Sequence, residues 1–185
     1  MFLRCSLKKE KTMITLPTWT TVDIPALVTN EYIQGLIQDM DINGVNVRAL
    51  TEYLVKNPCV KNRDLTTSPS VVPLELIKAS PRDLFFTVHP NWRDLYARAK
   101  DNFGLIPCPL VVPVFLCHQY CLDQPMGERL YIATDPITTP NGEYVILTIK
   151  HSYPGQRQIG IKGSGQLSNC TWPLDSPWAF LKEPS

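Results

Sequence analysis

The sequence predicts an α+β fold: a helical N-terminal part, made of an αα-hairpin plus a third helix, followed by a mainly antiparallel β-sheet. Three observations predict it. Apolar residues recur at helical spacing from Thr29 to Lys56 and again from Asn91 to Asn102. After Gly104 that period gives way to continuous or alternating apolar runs. Proline, asparagine and glycine clusters separate those runs.

Residues 1–13 (MFLRCSLKKEKTM) are basic and lack the apolar segment of a secretory signal, so they read as a disordered lead-in. A single α+β domain is expected over residues 14–185, with the helical hairpin at 29–56 and a mixed helix and sheet core at 84–170. In the first helix Tyr32, Ile33, Leu36, Ile37 and Met40 share a face and Thr29 is the N-cap. Asn43-Gly44 ends it, Asn46 caps a second helix with Val47, Leu50, Tyr53 and Leu54 inward, and Asn57-Pro58 stops the pair.

Residues 57–82 read as a loop holding a short apolar piece at Val71–Ile77, and Leu84–Val88 as a strand. The third helix presents Trp92, Leu95, Tyr96 and Ala99 on its apolar face, with Gly104 as its stop. Leu110–Cys117 is continuously apolar, as expected of a strand covered on both faces. Leu130–Thr134 and Glu143–Lys150 read as strands flanking the turn-rich DPITTPNG, and Gln158–Lys162 as a further strand. The tail WPLDSPWAFLKEPS is expected to clamp its two tryptophans onto the core.

Composition narrows the function. The chain has 185 residues, 44% of them hydrophobic, and a net charge of +1, so no global basic field advertises a nucleic acid or a membrane. No apolar run reaches the roughly 20 residues of a membrane-spanning helix. The expected compartment is cytoplasmic, and the six cysteines are then reduced thiols.

Four segments carry candidate chemistry. The 44–54 segment resembles the turn and second helix of a helix-turn-helix: Asn46, Arg48, Thr51 and Glu52 would face a major groove, with Lys56, Lys61 and Arg63 near phosphates. Asp39-Met-Asp41-Ile-Asn43-Gly44 matches the first ligand positions of a calcium loop, but Leu50 stands where the bidentate glutamate belongs. Cys117, His118 and Cys121 supply soft ligands for zinc, with Cys108, His151 or Cys170 able to complete a tetrahedron. The same cysteines paired with His89 or His151, oriented by Asp123 or Asp135, would make a catalytic thiol. Lastly, the glycine-rich run 149–166 brings Lys150, His151, Tyr153, Arg157 and Lys162 together as an anion or nucleic-acid surface.

The sequence therefore predicts a small, non-catalytic binding or regulatory protein that docks on a macromolecular partner, nucleic acid or protein. The alternative is a zinc- or thiol-dependent enzyme built on Cys117, His118 and Cys121. No cofactor is expected on the first reading, and zinc on the second.

Overall fold

The structure, a computed structural model, describes residues 13–24, 45–46, 72–120, 124–138, 144–153, 156–163 and 170–184. Along the chain run β1 (Thr20–Ile24), β2 (Val45–Asn46), β3 (Val72–Ala79), α1 (Trp92–Phe103), β4 (Leu105–Ile106) and α2 (Val112–Tyr120). Then follow β5 (Arg129–Ile132), β6 (Ile137–Thr138), β7 (Tyr144–Tyr153), β8 (Gln156–Gly163) and β9 (Trp178–Lys182). The strands form one mixed sheet in the order β1-β3-β9-β5-β7-β8-β2, with β4 on β9 and β6 on β7. The β5–β9 and β2–β8 pairs are parallel and the others antiparallel.

The expected helical N-terminal part is corrected by this architecture. The described residues are mainly β, with two short helices, and a strand (β1) precedes both. Val45 and Asn46, placed by the sequence at the turn and cap of a helix-turn-helix, form strand β2 beside Arg157 and Gln158 of β8. The rest of the hairpin, with Arg48, Lys56, Lys61 and Arg63 and the calcium-like spacing at 39–44, lies outside the described residues. Periodicity alone misleads here because β pairing with a segment more than 100 positions away overrides local propensity.

Two further elements differ. Leu84–Val88 is a turn and its exit, not a strand, and the apolar piece expected at Val71–Ile77 within the presumed loop belongs largely to the eight-residue β3. Leu110–Cys117 is no strand: Val112–Tyr120 is helical. An apolar run of this length has no period to read, and a helix buried all round looks the same as a doubly covered strand. Pro113 is compatible because it occupies the first turn, where its missing N–H has no helical partner to lose. The alternation that set Cys117 and His118 on opposite faces therefore does not apply.

Helix α1 forms where the sequence places it. The Asn91 side chain accepts from Asp94 N at 3.0 Å, capping its start. Gly104, at φ 63, ends it by returning its N–H to the Ala99 and Lys100 carbonyls.

The central strands of the sheet are buried on both faces, and side-chain alternation divides the two layers. Leu76, Leu130, Ile132, Leu147, Ile149, Ala179 and Leu181 face α2. Ile77, Ala79, Tyr131, Ala133, Ile146, Trp178 and Phe180 face α1. The tail tryptophans are both in this second layer, Trp178 stacked on Tyr131 at 5.0 Å and Trp172 edge-on to Trp178 at 5.0 Å. Helix α2 lies closest to β1 on one wing and to β7 and β8 on the other. In a flat sheet β1 and β8 would stand about 24 Å apart. A helix about 10 Å across reaches both because the sheet curls around it as a half-barrel.

Leu116 is fully buried in this trough. Leu116→Ala is expected to lower stability by about 2–5 kcal/mol in urea unfolding, the usual cost of an unfilled leucine cavity.

Candidate functional site

The turn after β3 is held by many bonds and exposes one aromatic ring. Ser80 and Asp83 bind reciprocally: Ser80 N and Oγ donate to Asp83 Oδ2 at 2.8 and 2.7 Å, and Asp83 N donates to Ser80 Oγ. Arg82 grips Asp175 through two bonds, at 2.7 and 3.2 Å. Arg98 donates to the Phe85 carbonyl at 2.9 Å and lies 3.8 Å over the Phe86 ring. Leu84 and Phe86 are buried on either side. Phe85 between them has φ 61 and is 61% exposed, and Val88 is 70% exposed. A bulky residue in the left-handed region costs about 1–3 kcal/mol and persists only where its surroundings over-determine it.

The Arg82 hydrogen bonds hold the Asp175 carboxyl below its ordinary pKa. A carboxylate depressed by folding contributes above its unfolded pKa, and the contribution is lost as pH falls through the folded value. The clamp on the turn therefore loosens in acid.

The strand register places the basic residues of the glycine-rich run. Lys150 stands opposite Arg129 on one side and Gln158 on the other, while Arg157 stands opposite His151. Tyr153 pairs with Gln156 beyond an irregularity in the ladder. Lys162 pairs with Ile146, four residues or about 13 Å along the strand from the Lys150–Gln158 pair. The run is thus divided between two ends of a hairpin, and Arg129 joins it from β5. Arg129 is exposed and Lys150 half-buried, and among the described residues neither side chain meets an acid. Directly opposed like charges destabilise a sheet.

His151 also belongs to a second, more enclosed group. Its Nδ1 lies 2.7 Å from the Gln124 carbonyl oxygen. A carbonyl only accepts, so Nδ1 carries a proton, and in the neutral ring the free lone pair is the one on Nε2. Gln124, 2% exposed, donates from Nε2 to the Ile149 and Glu128 carbonyls at 3.0 and 3.3 Å. Residues Pro125–Glu128 make a turn closed by Glu128 N on the Pro125 carbonyl, with Gly127 at φ 84. Gly127 and Glu128 then both bond across to His151, a bulge that aims Glu128 beside the histidine. Lys78 pairs with Glu128 Oε1. The buried atoms Gln124 Oε1, Glu128 Oε2 and His151 Nε2 have no partner.

The cysteine sites fare differently. Cys108 and Cys117 are buried thiols in the α2 layer, and Cys170 is a half-exposed thiol. Cys121, Asp123 and the His118 side chain lie outside what is described. Among the described residues no three His, Cys, Asp or Glu side chains gather as a metal site. His89 is exposed on the Phe85 side, away from Cys117 in the α2 layer. No described helix is long and apolar enough to cross a membrane.

Sequence reasoning passed over Phe85, Gln124, Glu128, Arg129 and Lys78. Ser80-Pro81-Arg82-Asp83 did carry a turn signal, since Ser-Pro opens turns and Asp closes them through its side chain. Nothing local marks a phenylalanine for the left-handed region. Searches of known families, curated proteins and solved structures find no match to the chain.

Burial pushes the Cys108 thiol well above its ordinary pKa. Cys108 should resist alkylation by iodoacetamide at neutral pH in the folded protein and react once the chain is unfolded, as peptide mapping would register.

Proposed function

We propose that this is a non-catalytic binding protein whose Pro81–Val88 turn docks on a protein partner. The observation that carries this reading is Phe85. Its ring leans on Phe103, with centroids 5.7 Å apart, yet stays 61% exposed, and Ser80, Arg82, Asp83 and Arg98 brace the strained turn that presents it. Exposed, pre-ordered aromatics are typical binding anchors, because the partner gains apolar area without the entropy cost of ordering the loop. Val88 widens the apolar contact, and Arg82 and Asp175 give it a polar rim.

Phe85→Gly tests this directly. Glycine suits φ 61, and the relieved strain offsets the lost contact with Phe103, so stability should change by no more than about 1 kcal/mol in either direction. A partner captured from a cell extract by the wild type should be lost with the variant. Equal capture by both proteins, or no capture, would sink the reading.

A second reading is favoured by the Arg129–Lys150 pair: a nucleic-acid backbone lying over the row. Each phosphate contact adds about one unit to the slope of log affinity against log salt. Arg129→Gln with Lys150→Gln should flatten that slope by about two and leave folding intact or slightly improved. An unchanged slope would retire this reading.

A further inference from the structure

We propose that Gln124, Glu128 and His151 form a binding site for one divalent metal ion that prefers nitrogen and oxygen ligands. Three observations converge on it. The first is the group of buried acceptors: Gln124 Oε1, Glu128 Oε2 and His151 Nε2 are all enclosed and unpartnered. An unsatisfied buried acceptor costs about 1–3 kcal/mol, and a single electron-pair acceptor would relieve all three of these, which sit on residues linked to one another by hydrogen bonds.

The second observation is the histidine tautomer. With Nδ1–H given to the Gln124 carbonyl, the ring is held in a fixed direction and Nε2 is the nitrogen whose lone pair the neutral ring would offer. Metal-ligating histidines are oriented by this same kind of bond from their other nitrogen. The third is how the groups are held. Glu128 sits on the bulge opposite His151, and Lys78 occupies only Oε1, leaving Oε2 available and the carboxylate fixed. Gln124 is tied by both its carbonyl and its amide nitrogen to residues of the same ladder, so only Oε1 is left to bind.

The donor set is one imidazole nitrogen, one carboxylate oxygen and one amide oxygen. Such a set suits Mn²⁺ and related cations, and it contains none of the thiolate that would select softer ions. The Lys78 ammonium offsets the Glu128 charge, which places the affinity among modest rather than tight sites. This site is separate from the Phe85 turn, and its test does not depend on any docking partner.

The test uses Mn²⁺ alone, followed by electron paramagnetic resonance of the free ion, with the full-length protein. One saturable equivalent is expected. His151→Asn keeps a donor for the Gln124 carbonyl but removes Nε2, and it should weaken binding at least roughly tenfold, as should Glu128→Gln. Substoichiometric Mn²⁺ added to the wild type should broaden the NMR signals of the His151 ring and the Gln124 side-chain amide first. This last measurement decides the matter even if a variant fails to fold. Absence of a saturable equivalent, or broadening centred on other residues, would overturn the proposal and leave water as the partner of these atoms.

Discussion

The sheet depends on where its last strand goes. β9, from the C-terminal tail, is inserted between β3 and β5, and β4 takes the remaining length of its second edge. Without it the ladder falls into β1–β3 on one side and the β5–β7–β8 meander on the other. Its side chains serve both layers, Trp178 and Phe180 toward α1, Ala179 and Leu181 toward α2. A strand in that position must be apolar on both faces, and WAFL is. The small Ala179 lies in the α2 layer and the large rings lie opposite, a division of volume consistent with close packing on both sides.

From this arrangement the positions of the polar groups follow. β3 and β7 end, and β5, β8 and β9 begin, at the same edge of the curled sheet, as the pairs Ala79–Trp178, Tyr131–Trp178, Arg129–Lys150 and Lys150–Gln158 require. The Phe85 turn, the Arg129–Lys150 pair and the His151 group are therefore gathered at one end. Alternation then separates them, since His151 shares the face of Leu147 and Ile149 and Lys150 shares that of Ile146. Adjacent residues of one strand thus serve two unlike surfaces.

How much of this was legible in the sequence depended on the range of the interactions. Helix α1 was readable because its cap, apolar face and glycine stop all lie within 14 residues, 91–104. The β7 and β8 strands were readable because alternation and turn chemistry are local too. Val45–Asn46 was not, because its strand state depends on β8, and neither was α2, whose apolar run has no period. Among site residues, Lys150 and His151 stood out by charge and type. Gln124 and Glu128 did not, because their significance comes from a bulge and from burial, which no residue pattern announces.

Strain and unsatisfied polarity are the two departures from local consistency in this fold, and both occur at the same end of the sheet. Departures of this kind are expected where selection acts on something other than stability. Simple alternatives exist at each point. Glycine at 85 would remove the strain, and apolar side chains at 124 and 151 would remove two of the orphaned acceptors. The other end carries the isolated bridge Cys108–Thr134 and the Cys108 thiol 3.6 Å from the Ala179 carbonyl, with Thr134 Oγ1 as an orphan among the described residues. A purely architectural protein would have no reason to concentrate costs asymmetrically, because both ends close the same two cores. This asymmetry is the physical ground on which the proposed docking turn and the proposed metal site both rest.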